Sequence, residues 1–321
     1  MKAIRIHQPG GPEVLKYEEC PNPVPGSDQV LIDVQASGVN FMDVGRRRGA
    51  MASQLPMIPG GEAAGIVSAV GDGVTELAVG DLVGSSSVIG GYAEQALAPV
   101  ARTIKLPQGT DATTGAAALL QGMTAHYLVY DSYPLQPGDR ALVHAGAGGV
   151  GLLLIQMAKT LGAYVYATVS TEEKAALASS MGADKVILYT RQDFAEEINN
   201  DTNGQGIQVV YDSVGQETFT QSIKCLGRRG SLVLYGGSSG PVPPVDLSVL
   251  SERSLSLLRA SLGNYTATRE VLLKRADDVL GWIASGQLKM HIYKSYPLAE
   301  AAEAHRELEG RQTVGKLLLI P

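Results

Sequence analysis

The chain has 321 residues, 45% of them apolar and 18% charged, a balance that supports a buried core and excludes a disordered chain. Lys and Arg total 26 against 32 Asp and Glu, so the formal charge is -6, the wrong sign for a nucleic-acid surface. At roughly 100–200 residues per domain, this length predicts two domains.

The opening run Met1-Lys2-Ala3-Ile4-Arg5-Ile6 reads as a first strand, too short and too soon polar for a signal peptide. Alternating runs follow at Gln29 to Ala36, Gly65 to Val70, Asp81 to Val83 and Tyr92 to Ala98. Turn signals separate them: Pro25-Gly26, Pro59-Gly60-Gly61 and Gly71-Asp72-Gly73. This is all-β organisation. A helical pattern then runs from Asp111 through Ala116 to Tyr130. From Asp139 the rhythm becomes strand and helix in alternation. Strands are predicted at Arg140 to His144, Tyr164 to Val169, Lys185 to Tyr189, Gln208 to Asp212 and Ser231 to Tyr235. Helices are predicted at Leu152 to Leu161, at Glu172 to Met181 and from Asp193. Such alternation indicates a doubly wound parallel sheet with helices on both faces. A helix from Thr268 to Ser285, with Val271, Leu272, Val279, Leu280 and Ile283 as its stripe, is followed by a short helix at Leu298 to Glu309. The last strand, Lys316 to Ile320, can pair with the N-terminal β region. The expected architecture is therefore α/β: a mainly β domain of residues 1–122 and 266–321, interrupted by an α/β domain of residues 123–265. The two cysteines, Cys20 and Cys225, exclude a disulfide framework and a four-cysteine zinc site. No run approaches the ~20 apolar residues of a membrane span, and a cytoplasmic location is the expectation.

Gly146-Ala147-Gly148-Gly149-Val150-Gly151 has G-x-G-x-x-G spacing between a predicted strand and a predicted helix. The glycines permit a tight turn and close approach of the backbone to a pyrophosphate, which would lie on the helix N-terminus. After the second strand of this unit, an Asp or Glu would bond the ribose 2′-hydroxyl of NAD. Ser170 stands there, with Lys174 one helical turn on, which favours NADP. Ser170 can equally be an N-cap with Glu173 completing a capping box, and Lys174 a solvated charge.

Several motifs together carry a resemblance over essentially the whole length. They are Gly10-Gly11-Pro12-Glu13-Val14-Leu15, Gly38-Val39-Asn40-Phe41-Met42-Asp43 and Pro59-Gly60-Gly61-Glu62-Ala63-Ala64-Gly65. Further on come Gln121 to Tyr127, His144 to Gly151, Tyr211-Asp212-Ser213-Val214-Gly215 and Gly236-Gly237-Ser238-Ser239-Gly240. The chain resembles the zinc-independent medium-chain dehydrogenase/reductase family, in its NADPH:quinone oxidoreductase (zeta-crystallin-like) branch. The resemblance implies a Rossmann domain inserted into a GroES-like catalytic domain, NADPH as cofactor and a homodimer. Zinc-dependent cousins place a Cys soon after the Gly of the 38–43 segment and a Gly-His-Glu near 60. Here stand Val39-Asn40 and Gly60-Gly61-Glu62, so no metal is expected. Hydride transfer to an electrophilic acceptor needs none, because the cofactor carries the chemistry. A quinone is the leading acceptor, and an enone or alkenal double bond the alternative. A nucleotide-binding protein without turnover is a third reading, since fold alone does not dictate function.

The resemblance implies that Phe41, Met42 and Asp43 border the nicotinamide and that Asn40 stands beside nicotinamide and substrate. Phe41 and Met42 can also be plain core, and Asn40 a turn residue. It implies further that Thr124 and Tyr127 lie near the cofactor, that Gly149 and Val150 donate to the pyrophosphate, and that Ser170 and Lys174 meet the 2′-phosphate. Thr124 can instead belong to a packed helix face. Tyr189 resembles a tyrosine on the adenosine side. Val214 and Gly236, Gly237, Ser238 and Ser239 end strands whose carboxyl edge binds ligands in such sheets. Ser261, Leu262 and Arg311 complete the implied set. Departures occur at Gly45, where relatives often carry a tyrosine, at Leu258-Arg259-Ala260, and in the basic run Arg46-Arg47-Arg48. Arg47 matches an arginine of the substrate cleft in relatives, although a solvated charge run reads the same way. The stretch Val242 to Leu250 after the fifth strand is apolar and contains prolines, and relatives pair this edge across a two-fold axis.

Overall fold

Residues 1–50 and 54–321 are described by a computed structural model, in which the chain forms two units: Met1–Met123 with Ala267–Pro321, and Thr124–Thr266. The first unit opens with an antiparallel pair, β1 (Lys2–Arg5) and β2 (Lys16–Glu19). The long strand β3 (Gln29–Val39) leads into helix α1 (Phe41–Arg47), then β4 (Ala63–Val70), β5 (Leu82–Ser85), β6 (Gln95–Pro99) and β7 (Ile104–Lys105). Two register shifts against β4 bend β3, which pairs with β4 and β6. The bend encloses a core of Val30, Ile32, Val67, Val83, Ala96 and Ala98. Each fully buried Val or Ile side chain among them contributes about 1.5–3 kcal/mol. Helix α2 (Ala112–Tyr127) then carries the chain into the second unit, ending three residues before the predicted Tyr130 in a wider helical turn over Leu128–Ser132.

The second unit is built on β8 (Arg140–Val143), α3 (Gly149–Thr160), β9 (Tyr164–Val169), α4 (Glu172–Ser180), β10 (Lys185–Leu188), α5 (Phe194–Asp201), β11 (Ile207–Asp212), α6 (Phe219–Cys225), β12 (Leu226–Leu234), α7 (Ser248–Ser251), β13 (Ser256–Arg259) and α8 (Leu262–Tyr265). Its six strands are all parallel in the order β10-β9-β8-β11-β12-β13. The order reverses between β8 and β11, the switch point at which such sheets bind nucleotides. The near-continuous apolar strands reflect burial on both faces, as the successive buried residues Leu142 and Val143, and Val210 and Tyr211, show.

Back in the first unit, α9 (Arg269–Ala284) buries Leu272, Ala276, Val279 and Leu280, while Val271 of the predicted stripe is exposed. The chain closes with β14 (Ile292–Pro297), α10 (Ala301–Glu309) and β15 (Lys316–Ile320). β15 runs antiparallel to β3, with Leu317 opposite Val39 and Leu318 opposite Gly38. That register brings the start of β15 to the end of β3, at Asn40. Among the described residues, no helix is long and apolar enough to cross a membrane.

Candidate active site

In the second unit, β8 turns into α3 through a tight glycine loop. Ala145 adopts a left-handed φ of 51°, and a Cβ on Gly146 would stand 2.8 Å from the Cβ of Ala167. A Cβ on Gly151 would stand 2.4 Å from the carbonyl oxygen of Ala145. The motif glycines are therefore required by loop–sheet and loop–helix packing. Helix α3 begins at Gly149, earlier than the predicted Leu152, and has no side-chain cap. The first-turn N–H groups of a helix lack intrahelical acceptors, so Gly149 and Val150 begin a cradle suited to an anion. The site thus fits the pyrophosphate of a dinucleotide.

At the carboxyl ends of β9 and β10, two loops are tied together. The Thr190 hydroxyl donates to the Ser170 carbonyl at 3.2 Å, and the Tyr189 N–H to the Val169 carbonyl at 3.2 Å. Ser170, Lys174 and Tyr189 thereby share one edge of the sheet. The cap of α4 is Thr171, whose hydroxyl accepts the Lys174 N–H at 3.3 Å, so the N-cap expected at Ser170 falls one residue later. Ser170 precedes the cap and leaves its hydroxyl out of the helix start. Lys174 is half-buried, and burial lowers its pKa from the usual lysine range. Glu172 pairs with Arg191 at 3.0 Å, and Glu173 bonds to the Thr171 cap.

The ends of β11 and β12 are joined in the same way. Buried Asp212 accepts the N–H groups of Val214 and Gly215 at 2.7 and 3.0 Å and the Thr218 hydroxyl at 2.7 Å. Ser238 and Ser239 donate their N–H groups to the carbonyls of Ser213 and Val214. Gly236 packs so closely on Ser213 that a Cβ would stand 2.5 Å from its carbonyl oxygen. Val214 and Gly236 to Ser239 thus form one surface at the switch-point edge. Ser261, exposed, and Leu262, half-buried, follow β13 at the same edge. Thr124 and Tyr127 are buried on α2, and the Tyr127 ring stacks on Tyr265 at 4.3 Å, so these two are packed helix positions.

In the first unit, Asn40 ends β3 and starts α1. Phe41 and Met42 are 44% and 47% exposed, so they are not core residues. Asp43 is buried, and its Oδ2 accepts the Asn40 N–H at 3.0 Å and the Tyr92 hydroxyl at 3.2 Å. Burial pushes its pKa up to about 6. Behind Asp43 a relay of side chains continues: Tyr92 to His305 Nε2 at 3.1 Å, and His305 Nδ1 to Arg47 at 3.1 Å. A guanidinium only donates, so Nδ1 of His305 accepts and Nε2 carries the proton. Burial, and then Arg47, lower the His305 pKa to about 4. Arg47 also donates to the Gly10 carbonyl at 3.1 Å and pairs with Glu309 at 2.8 Å. Its side chain is fully buried. The guanidinium expected in the substrate cleft thus ties Gly10 to the C-terminal helix through His305 and Glu309. Asp43 lies buried behind Asn40. Arg311 lies exposed in the turn between α10 and β15, with a left-handed φ of 56°.

Two further residues belong to this site. Lys316 and Glu62 are both fully buried and form an ion pair at 2.6 Å beside Asn40. Glu62 lies in the Pro59 to Gly65 motif, whereas Lys316 is a lone cation opening an apolar strand, with no local sequence signal. Gly38 is glycine because a Cβ there would stand 2.4 Å from Glu62 Oε2 and 2.8 Å from Lys316 Nζ.

Comparison with known proteins adds the ancestry. Residues 26–108 match the family described as alcohol dehydrogenase GroES-like domain, and residues 149–278 the family described as zinc-binding dehydrogenase. A quinone oxidoreductase of Pseudomonas aeruginosa is 42% identical over 100% of this chain and 99% of its own length. A 2-haloacrylate reductase of a Burkholderia species is 39% identical over 99% of this chain and 98% of its own. The structure of Escherichia coli quinone oxidoreductase complexed with NADPH superposes with a TM-score of 0.97 at 40% identity, covering 100% of both chains. The zinc of the second family description does not fit the residues present. Among the described residues, no group of three or more His, Cys, Asp and Glu could hold a metal ion. The Glu62 carboxylate is already shared by Lys316, Asn40 and the Leu120 N–H.

Proposed function

We propose that this chain, which belongs to the quinone oxidoreductase family of GroES-like dehydrogenases, reduces quinones with NADPH. The observation that carries the reading is the edge of the second unit. A glycine cradle opens α3 at the switch point, and Ser170 with half-buried Lys174 occupies the end of β9 where an acid would select NAD. NADPH supplies the hydride when bound. The N–H groups of Gly149 and Val150 hold the pyrophosphate, and Ser170 and Lys174 the 2′-phosphate. Arg191 draws Glu172 aside, which keeps that carboxylate from opposing the phosphate. Tyr189 serves the adenosine side, Val214 and Gly236 to Ser239 the remainder of the carboxyl edge, and Ser261 and Leu262 its margins. Thr124 and Tyr127 support this binding from their buried positions. In the first unit, exposed Phe41 and Met42 supply apolar surface. Hydride addition to a quinone leaves a hydroquinone anion, which takes one proton from water.

The reading extends to a homodimer. It is supported by the edge strand β13 and by the neighbouring stretch from Val242, of which Leu247 is 69% exposed while Val242, Val245 and Leu250 pack on the core. A cytoplasmic location accords with it. A second reading, reduction of an activated carbon–carbon double bond, is favoured by the similarity to a 2-haloacrylate reductase. A panel of quinones, enones, enals and haloacrylates, each with NADPH and NADH, tests the function. Turnover greatest for quinones with NADPH is expected. Turnover confined to the alkenes would shift the assignment to the second reading, and oxidation of neither cofactor by any acceptor would overturn both.

A further inference from the structure

His144 follows β8 and opens the glycine loop, wholly inside the second unit. It is buried, and its backbone N–H donates to the Tyr211 carbonyl of β11 at 3.1 Å. Its ring meets Thr168 Oγ1 of β9 through Nδ1 at 2.8 Å and Ser222 Oγ of α6 through Nε2 at 2.9 Å, with the Phe194 ring edge-on at 4.8 Å. These contacts fit one distribution of hydrogens. Ser222 has a single hydroxyl hydrogen and donates it to the Thr218 carbonyl at 2.9 Å, so its oxygen accepts from Nε2–H. Nδ1 then carries no hydrogen and accepts the Thr168 hydroxyl. Burial lowers the His144 pKa from the usual 6.5, against the pull of the Asp212 carboxylate, which raises it. The ring is therefore held neutral between two hydroxyls.

The chain of hydrogen bonds continues to the loop after β11. Thr218, one helical turn before Ser222, donates its hydroxyl to Asp212 Oδ2 at 2.7 Å, and Asp212 Oδ1 takes the N–H groups of Val214 and Gly215. Gly215 has a left-handed φ of 91°, and a Cβ there would stand 2.9 Å from the Gly240 carbonyl oxygen, so the loop after β12 rests on the same support. On the other side of His144, the Thr168 carbonyl accepts the Gly146 N–H at 3.0 Å. The imidazole thus stands between the glycine cradle and the Val214 loop, which follow the neighbouring strands β8 and β11 at the switch point. A dinucleotide lying across that crevice meets both loops. We propose that His144 is a positioning residue whose Nε2–H, through Ser222 and α6, holds the Val214 loop at a fixed spacing from the glycine cradle for a cofactor that spans the two. This rests on the NADPH reading above.

Three substitutions separate the two arms of the ring. In His144→Gln the amide nitrogen takes the place of Nε2 and keeps the donor to Ser222. In His144→Asn the carbonyl oxygen takes the place of Nδ1 and keeps only the acceptor for Thr168. His144→Phe keeps neither. The readouts are dissociation constants for NADPH, from cofactor fluorescence, and for adenosine 2′,5′-bisphosphate, which lacks the nicotinamide half and cannot span both loops. His144→Asn and His144→Phe should weaken NADPH about 3- to 10-fold, the worth of one neutral hydrogen bond, and leave the bisphosphate within about twofold. His144→Gln should keep both ligands within about twofold. Adding Ser222→Ala to His144→Phe should weaken NADPH by less than about twofold further, because residues of one network are not additive. Equal NADPH affinities in the Gln and Asn variants, or equal weakening of both ligands, would overturn the proposal; the second result is what a role confined to stability predicts. Failure of the unaltered protein to bind NADPH would instead overturn the function on which it rests. Should the His144 variants not fold, Ser222→Ala and Thr168→Val decide the question. Ser222→Ala should weaken NADPH about 3- to 10-fold with the bisphosphate unchanged, and Thr168→Val should change neither by more than about twofold. Equal NADPH affinities in these two would overturn the Ser222 arm and the proposal with it.

Discussion

The relay behind Asn40 predicts two opposed pH dependences of stability. The Asp43 pKa is raised by burial from 3.8 to about 6, so the native state holds that proton more tightly than the unfolded chain. Its stabilisation is complete below about pH 3.8 and is lost as pH rises through about 6. The shift of about 2 units corresponds to about 3 kcal/mol. His305 has the opposite sign. Its pKa is lowered by burial from 6.5 to about 4, so its contribution is present above about pH 6.5 and is lost as pH falls through about 4. This shift also corresponds to about 3 kcal/mol. Between about pH 4 and 6 the two slopes offset each other in the native protein. Replacing one group exposes the other. Asp43→Asn should lose about 3 kcal/mol relative to the unaltered protein as pH falls from 6 to about 4. His305→Gln should gain about as much relative to it as pH falls from 6.5 to 4. Urea unfolding followed through Trp282, the single tryptophan and a residue of the first unit, reads the relevant transition. Stability differences independent of pH for both variants would refute the reasoning, because the shifts would then belong to neither side chain.

Lys174→Ala should cut NADPH preference by about 10- to 100-fold, the worth of a charge-assisted phosphate contact, with the Michaelis constant for NADH nearly unchanged. Equal effects on both cofactors would withdraw the 2′-phosphate assignment. Ser170→Asp should weaken NADPH and improve NADH in the same kinetic series, by supplying a ribose acceptor beside a repelled phosphate. Lys316→Met alone should cost about 3–5 kcal/mol in urea unfolding, since Glu62 is left buried and unpaired, whereas the pairing with Glu62→Gln should recover most of that loss. Light scattering at micromolar concentration should give twice the chain mass, and a monomeric mass would refute the dimer.

Some of this protein was legible in the residues alone. The glycine loop, the alternation of strands and helices, and the return of the last strand to the β region follow from local pattern, because period and turn chemistry act over a few residues. The missing acid at Ser170 is of the same kind, a single position read against a local rule. Strand β13 escaped notice because Ser256 to Arg259 is a short, partly exposed edge with no apolar run to announce it. The character of charged residues needed the fold. Arg46-Arg47-Arg48 looked like one basic run, yet packing buries Arg47 against Glu309, 262 positions away, while Arg48 reaches the same carboxylate from an exposed position. Lys316 looked like an ordinary strand start. Only the antiparallel register of β15 on β3 sets it beside Asn40 and Glu62, from segments 276 and 254 positions distant. Local sequence determines what a segment can be. Which buried charges neutralise one another is decided by strand pairing between segments that no local rule connects.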